Sequence, residues 1–212
     1  MYVQNLGDGS LSFVIGDRID RETSRRILKL YKTMKNSSLP GELSIYDIVP
    51  SYCSLTFHFD PLKTDCVVME EELWPVIASQ LRKAKSSSGK GKSFHIPVIY
   101  RGEDLNRVSR LTGLTVKQII RRHTYPSYQV AMIGFRPHFP YLIGLDRKLA
   151  TRRLDTPRLK ICAGSVGIGG SQTGVYPEDS PGGWNIIGYT DPQLLKELSP
   201  GDTLKFCEVS RL

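Results

Sequence analysis

The sequence predicts an α+β chain in which a small α/β sandwich domain precedes a mainly β domain. Residues 1–88 read in the order strand, helix, strand, strand, helix, which is typical of a small α+β sandwich. Residues 86–93, SSSGKGKS, have the composition of a linker. Residues 128–212 contain many short apolar runs separated by glycine and proline, which favours a barrel or a sandwich. The predicted domains are therefore 1–88 and 89–212.

The first domain begins with a strand and a helix. Leu11, Phe13 and Ile15 alternate with residues that face the other side, as in a strand with one buried face. Asp20 is the predicted N-cap of the helix that follows. The helix has an apolar stripe at 3.6-residue spacing, formed by Ile27, Leu30, Tyr31 and Met34.

Two strands and a second helix complete this domain. The strands are predicted at residues 43–49, LSIYDIV, and 53–59, CSLTFHF. The helix is predicted at residues 70–85, EEELWPVIASQLRKAK, with acidic residues near its start and basic residues near its end. Because proline lacks a backbone N–H, Pro75 is expected in the first turn of this helix.

The second domain opens with a strand and two short helices. The strand is FHIPVIY, residues 94–100, and the first helix lies within EDLNRVSRLTG, residues 103–113. The second helix, TVKQIIRRH, has a capping box formed by Thr115 and Gln118. The later strands are predicted at residues 128–135, 159–170, 184–190 and 203–209.

Composition and charge argue against a nucleic-acid partner and against a membrane partner. The formal net charge is +8, but the basic residues are spread along helix surfaces and no recognised nucleic-acid-binding motif accompanies them. A solvated basic surface is favoured over a nucleic-acid partner. No apolar stretch approaches the ~20 residues that span a bilayer, so no membrane partner is expected.

The cysteines and the N-terminal residues indicate the compartment. The first residues lack the basic and apolar pattern of a signal peptide. The 4 cysteines are scattered, with neither a C-x-x-C pair nor zinc-ligand spacing from histidine, so neither a disulfide nor a metal is expected. Reduced thiols in a cytoplasmic protein are predicted.

The linker contains Gly91, Lys92 and Ser93, which look like the end of a phosphate-binding P-loop. A P-loop also requires a glycine five residues before this triplet, and Ser86 occupies that position. We therefore interpret the segment as a flexible junction and not as a nucleotide site.

Residues 134–146, GFRPHFPYLIGLD, begin at the end of the predicted strand 128–135, and RPHFPYLIGLD, residues 136–146, is interpreted as a long excursion from that strand. Such excursions often carry binding residues. The aromatic side chains of Phe135, Phe139 and Tyr141 are candidates for a wall of a ligand site, and Arg136 with His138 for contacts to an anion. The alternative is that the aromatic side chains only cover the end of a barrel.

Residues 157–184 are the second dense segment and contain several glycines. Unobstructed backbone amides suit a phosphate or a carboxylate, although tight β-turns would require the same residues. Neutral hydrogen-bonding side chains and one guanidinium accompany the glycines. The candidates are Ser165, Ser171, Gln172, Thr173 and Arg158.

His123 also has two interpretations. It lies three and four residues after Ile120 and Ile119, so it extends the apolar stripe of its helix. A packed, hydrogen-bonded histidine and a site residue both fit this position. No Ser-His-Asp arrangement is recognised, so any catalysis is expected to rest on positioning and electrostatic stabilisation.

Several long motifs in the second half resemble a known family. They are GFRPHFPYLIGLD, TPR, AGSVGIGGSQTGVYP and SPGGWNIIGYT, and GDGSLSFVIGD and VPSYCSLTFHFDP agree more loosely. These motifs resemble the B subunit of bacterial 5-oxoprolinase, a family also called KipI-like or allophanate-hydrolase subunit 1. The match is close over about residues 94–210. The chain departs from this resemblance at two positions. The family usually has glycine at the position of His138, and an apolar or small residue at the position of Arg136.

The resemblance implies a fold and an activity. It implies a small α+β domain followed by a cyclophilin-like β-barrel, in a carboxyltransferase-like chain. It implies a non-autonomous subunit of an ATP-dependent complex that opens 5-oxo-L-proline to L-glutamate, with Mg²⁺ accompanying ATP. The implied partners are the homologous 5-oxoprolinase C subunit and a lactam-utilisation-type A subunit, and the substrate is a small amide or lactam.

The alternatives are an interaction module that inhibits a sensor histidine kinase, or a subunit of a related urea or allophanate enzyme. No residue is assigned as catalytic. We expect the site to be lined by His123, Phe135, Pro137, Phe139, Tyr141, Arg158, Ser165, Gln172, Thr173 and Trp184.

Overall fold

The computed structural model describes residues 1–83 and 91–212. The chain divides into two compact units, Met1–Lys90 and Gly91–Leu212, called here the N-terminal unit and the C-terminal unit. The predicted boundary between residues 88 and 89, and most of the predicted linker, lie outside the described residues.

The N-terminal unit is a four-stranded antiparallel sheet with helices packed on it. Its elements are β1 (Tyr2–Asn5), β2 (Ser10–Val14), α1 (Arg21–Lys35), α2 (Leu39–Glu42), β3 (Ile45–Pro50), β4 (Ser54–Phe59) and α3 (Cys66–Lys83). The strand order is β1-β2-β4-β3. Alternate residues such as Phe13 and Phe57 point to one face, where they form a core with Leu30 of α1 and Leu73 of α3. The predicted sandwich is confirmed.

Local signals placed α1 correctly and α3 only in part. Asp20 caps α1, since its Oδ1 accepts a hydrogen bond of 2.8 Å from the backbone N–H of Thr23. Helix α3 begins at Cys66, before the predicted start at Glu70, and Pro75 lies inside it and not in its first turn. Burial of one helix face outweighs the backbone hydrogen bond that proline cannot donate.

The C-terminal unit is built on a seven-stranded sheet. Its elements are β5 (Ser93–Val98), α4 (Leu105–Thr112), α5 (Val116–Thr124), β6 (Tyr128–Ile133), β7 (Pro140–Ile143), β8 (Arg158–Ile161), β9 (Ser165–Gly169), β10 (Gln172–Val175), β11 (Ser180–Gly182), β12 (Asn185–Tyr189) and β13 (Thr203–Glu208), with 3-10 helices at Arg147–Leu149 and Pro192–Glu197. The capping box of α5 is formed by Thr115 and Gln118, as predicted.

The sheet curls into a barrel and closes. Its order is β12-β9-β10-β7-β6-β13-β5, and β8 pairs separately with β11. Beyond β5, Ile99 bridges to Tyr189 at the end of β12 through two reciprocal backbone hydrogen bonds of 2.9 Å. The α+β class with a cyclophilin-like barrel is therefore confirmed.

Two predicted boundaries in this unit are corrected. The segment after β6 is not one long excursion, because residues 140–143 form strand β7, which pairs with β6 and β10. The predicted strand at 159–170 is two strands, β8 and β9, separated by a turn at Gly164 with a φ of 81°. A single sequence does not reveal which short apolar runs find partners.

The barrel has an apolar interior and a partly covered outer face. The interior contains side chains from the strands, such as Val130 and Leu142, together with Val108 of α4 and Ile119 of α5.

Within the described residues, no helix is both long enough and apolar enough to cross a membrane. All four cysteines are free.

Candidate ligand-binding site

His123 lies in the barrel core and not at a surface. Its side chain is fully buried, with Nδ1 2.7 Å from the Tyr100 hydroxyl and Nε2 2.9 Å from Thr173 Oγ1. The Thr173 hydroxyl donates its one proton to the carbonyl oxygen of Gly167 at 2.8 Å. It therefore accepts a hydrogen bond from His123 Nε2–H, and Tyr100 donates to Nδ1, which fixes one neutral tautomer.

The environment keeps His123 uncharged. Burial lowers its pKa to about 3. Its ring also stacks on Phe206, with centroids 4.5 Å apart. Because both ring nitrogens bond to protein groups, His123 connects α5 to the barrel, which matches the packed-histidine interpretation of the sequence.

The glycines of β9 and β10 accommodate an indole ring. A Cβ added at Gly169 would collide with Trp184 Nε1, and one at Gly174 would lie 3.1 Å from Trp184 Cζ3. A Cβ added at Gly167 would lie 3.2 Å from the Cβ of Trp184. The sequence suggested unobstructed amides for an anion or tight turns. These three glycines instead let Trp184 pack flat on the outer face of the sheet.

Four aromatic side chains form a cluster on this outer face, called here the outer aromatic cluster. The ring centroid of Phe139 lies 5.0 Å from that of Tyr141, 5.2 Å from that of Tyr176 and 5.5 Å from that of Trp184. The rings meet at tilted or edge-to-face angles, which aromatic pairs prefer. Phe139, Tyr176 and Trp184 are almost fully buried, whereas Tyr141 is half-buried.

The loop between β6 and β7 places Phe139 in this cluster. It closes with a hydrogen bond of 3.1 Å from the Phe139 N–H to the Arg136 carbonyl oxygen. Phe135 and His138 have left-handed backbones, with φ of 69° and 65°. Glycine adopts this conformation without strain, so the backbone of His138 suits the glycine that the resemblance implies at this position.

The same loop is otherwise exposed. Phe135 is 57% exposed and packs edge-on against Phe139, with centroids 5.5 Å apart. Pro137 and His138 face solvent. Arg136 stacks over Phe135 and pairs with Glu178 at 3.5 Å, so its charge is already partly balanced.

Arg158 is bound to acidic residues of its own chain. Its Nη1 donates to Asp104 Oδ2 at 2.9 Å, and its Nη2 donates to Asp104 Oδ1 at 2.8 Å. Its Nε lies 3.4 Å from Glu103 Oε1. Asp104 is buried and also accepts the Ile186 N–H at 2.7 Å. The hydrogen bonds with Asp104 raise the pKa of Arg158.

Gln172 and Ser165 occupy β10 and β9. Gln172 is half-buried and lies directly opposite Gly169, whose neighbour on this face is Trp184. Ser165 is buried and lies opposite Tyr189.

The structure divides the ten predicted residues into separate groups. Together on the outer face are Phe135, Phe139, Tyr141, Gln172 and Trp184. In the core are His123 and Thr173, and elsewhere lie Pro137 in the exposed loop, Ser165 in β9 and Arg158 in its pair with Asp104.

Arg153 is a candidate that sequence reasoning missed. Its guanidinium carbon lies 5.9 Å from the centroid of the Trp184 ring. Burial raises the pKa of Tyr141, and the charge of Arg153 opposes that shift, which places the arginine beside this phenol too. No periodicity links residue 153 to residue 184, so the sequence carried no signal for this contact.

No metal site was found in the described part of the chain, where no group of three or more histidine, cysteine or acidic side chains could hold an ion.

The candidate site is the outer aromatic cluster together with Arg153, which lies over Trp184, and Gln172, which lies opposite Gly169. It can hold a flat ring and an anionic group side by side.

The sequence and the fold agree with a known family of protein domains. The family described as carboxyltransferase domain, subdomain C and D, matches residues 1–202, and the chain belongs to it. Curated relatives in this family share the name that the sequence motifs suggested, the B subunit of 5-oxoprolinase, so the recognised resemblance is confirmed.

Two relatives and one solved structure show the extent of the similarity. The 5-oxoprolinase B subunit of Haemophilus influenzae is 42% identical over 184 residues, covering 79% of this chain and 81% of that protein. The 5-oxoprolinase B subunit of Bacillus subtilis is 31% identical over 232 residues, covering 98% of this chain and 92% of that protein. The crystal structure of TTHA0988 has a TM-score of 0.80 at 30% identity and covers 97% of this chain. The chain spans 41% of the TTHA0988 chain.

Proposed function

We propose that this chain is the B subunit of an ATP-dependent complex that hydrolyses 5-oxo-L-proline to L-glutamate. The observation that carries the proposal is the 42% identity to the Haemophilus influenzae 5-oxoprolinase B subunit, over 79% of this chain. The partners in the proposal are a homologous C subunit and a lactam-utilisation-type A subunit.

The chemistry explains why such a complex would use ATP. A γ-lactam carbonyl is a poor electrophile, because its nitrogen donates electron density into the carbonyl. Transfer of the γ-phosphoryl group to the lactam oxygen creates a leaving group and releases ADP. One water then adds to the ring carbon, and the ring C–N bond breaks as the nitrogen takes up a proton, which gives an open-chain acyl phosphate with a free amine. A second water hydrolyses the acyl phosphate to glutamate and phosphate. Mg²⁺ would accompany ATP and balance the phosphate charge.

The contribution of this chain would be to hold the lactam ring and not to supply the nucleophile. Tyr141 is half-buried at the outer aromatic cluster, so part of its ring can contact a flat ligand. Gln172 stands beside the same face and can bond to a lactam amide. His123, the one histidine among the ten predicted site residues, is enclosed in the core and has no access to substrate.

Reconstitution from separately purified subunits tests the proposal. The chain alone is expected to release no glutamate from 5-oxoproline, and the three subunits with ATP and Mg²⁺ are expected to release glutamate and phosphate together. Turnover by the chain alone, or none by the full complex, would contradict the proposal. ATP-dependent carboxylation of urea by the complex would assign the chain to the urea enzymes instead.

Gene deletion separates the enzyme from a kinase inhibitor. In the proposed role, deletion blocks growth on 5-oxoproline as nitrogen source and 5-oxoproline accumulates. Unchanged growth together with an altered output of a sensor histidine kinase would favour the inhibitor.

A further inference from the structure

We propose that Arg153, held over the outer aromatic cluster, binds the carboxylate of a small flat ligand on that face. The inference rests on the proposed function for the identity of the ligand, 5-oxoproline. It goes further because it names the residue that recognises the charge, and it assigns that task to Arg153 and not to Arg158.

The backbone on both sides of Arg153 is hydrogen-bonded to the residues on both sides of Trp184. The Leu154 N–H donates to the Gly183 carbonyl oxygen at 2.7 Å. On the other side, Asn185 Nδ2 donates to the Arg152 carbonyl oxygen at 2.9 Å. The backbone of Arg153 is therefore held beside the indole before any ligand arrives, which limits where its side chain can reach.

The amide of Asn185 is itself oriented from two directions. Its Oδ1 accepts a hydrogen bond of 2.5 Å from Arg107 Nη1, and its Nδ2 also donates to the Ile168 carbonyl oxygen at 3.0 Å. Asn185 is fully buried. A buried and satisfied amide is therefore the support that places Arg153, which makes Asn185 a positioning residue.

No carboxylate among the described residues balances the charge of Arg153. Within residues 1–83 and 91–212, no carboxylate pairs with Arg153, whereas the neighbouring Arg152 bonds to Asp155 at 2.8 Å. Arg158 and Arg136 likewise have acidic partners. A guanidinium that lies over an aromatic ring still has its N–H groups available to an anion.

The surroundings define the class of ligand. The half-buried ring of Tyr141 offers an apolar surface, and the Gln172 amide has no hydrogen-bond partner among the residues that the structure describes. A guanidinium binds a carboxylate through two parallel hydrogen bonds. A flat five-membered ring with one carboxylate and one amide edge fits these groups, and 5-oxoproline has all three features.

Fluorescence of Trp184 reports binding directly. The chain has 2 tryptophans, so Trp74→Phe leaves Trp184 as the single reporter. We expect 5-oxoproline and the unreactive pyrrole-2-carboxylate to change its emission saturably. The lactam without a carboxylate, 2-pyrrolidinone, should bind at least about tenfold more weakly, because it cannot form the charge-assisted hydrogen bonds.

Substitution of the arginine completes the test. Arg153→Gln should weaken the binding of 5-oxoproline and of pyrrole-2-carboxylate at least about tenfold, and it should leave the affinity for 2-pyrrolidinone unchanged. The matched control is Arg152→Gln, which removes an exposed neighbouring charge that is already paired and should change nothing. In the reconstituted complex, Arg153→Gln should raise KM for 5-oxoproline by a similar factor.

The outcomes separate this inference from the proposed function. If Arg153→Gln leaves carboxylate affinity and KM unchanged while the complex hydrolyses 5-oxoproline, the inference fails and the function stands. If 5-oxoproline is neither bound nor converted but pyrrole-2-carboxylate binds in an Arg153-dependent manner, the function fails and the inference stands. No saturable response to any carboxylate, with KM unaffected by Arg153→Gln, overturns the inference.

Discussion

The guanidinium of Arg158 and the carboxylate of Asp104 face each other through two hydrogen bonds of 2.9 Å and 2.8 Å. This pair holds the separate β8–β11 ribbon against the backbone of β12, because Asp104 also accepts the Ile186 N–H. The sequence suggested Arg158 as a ligand contact. Its geometry instead indicates a structural ion pair with a buried acidic partner.

We therefore expect Arg158→Ala to destabilise the protein. Removal of the guanidinium leaves the buried Asp104 carboxylate without its counter-charge. Because Arg158 itself is partly exposed, the expected loss is about 2–3 kcal/mol, below the upper end for buried pairs. Urea unfolding measures the loss, and Arg158→Ala combined with Asp104→Asn should recover part of it. An unchanged free energy of unfolding with abolished activity of the complex would restore Arg158 to ligand binding.

The second prediction concerns the pH dependence of stability. His123 has a folded pKa of about 3, below the ordinary value of 6.5, so between these values the unfolded chain binds a proton that the folded chain does not. Stability from this group is complete above pH 6.5 and falls as the pH drops toward 3, by up to about 1.4 kcal/mol per pH unit.

A variant isolates the contribution of His123 from that of the carboxylates. His123→Gln is expected to be less stable at neutral pH but to show a shallower decline in unfolding free energy between pH 6 and pH 4. Equal slopes for His123→Gln and the unsubstituted chain would mean that the imidazole is not excluded from protonation in the folded state.

Thr173→Val should cost about 1–3 kcal/mol, since it leaves the His123 Nε2–H and the Gly167 carbonyl oxygen without their hydroxyl partner. Thr173→Ser keeps the hydroxyl and is the matched control, with a smaller loss from the missing methyl group. Thermal unfolding of both variants measures the difference. If Val and Ser are equally tolerated, the hydrogen-bonded chain through His123 contributes nothing to stability.

Gly169→Ala should displace the indole of Trp184, because the added methyl group would collide with Trp184 Nε1. We expect a loss of about 1–3 kcal/mol and a shift of tryptophan emission. Gly134→Ala is the control, since its new Cβ would lie 3.9 Å from the nearest atom, on Tyr141. Similar behaviour of the two variants would show that Gly169 is not needed for the packing of Trp184.

Local patterns predicted much of the fold. The alternation of Leu55, Phe57 and Phe59 correctly placed a strand with one buried face, since all three side chains are fully buried. The N-cap at Asp20 and the capping box at Thr115 were also found, because each of these signals spans only four residues.

The candidate site depended on contacts that are distant in sequence. The aromatic residues of the loop after β6 were predicted, but their partner Trp184 lies more than forty residues further along the chain, directly before β12. The glycines of β9 were interpreted as unobstructed amides or as tight turns, because nothing local shows that a ring covers them. Arg153 was missed and Arg158 was favoured for the same reason, since only the fold reveals which arginine has an acidic partner.

The position of β13 in the barrel has a consequence for synthesis on the ribosome. This strand, Thr203–Glu208, is the last one along the chain, yet it lies between β5 and β6, which are translated first in the C-terminal unit. Until it emerges from the exit tunnel, the facing edges of β5 and β6 lack their partner, and exposed strand edges invite pairing with other chains. A nascent chain stalled before residue 203 should therefore need a chaperone to stay in solution, because β5 and β6 would both lack the strand that pairs with them.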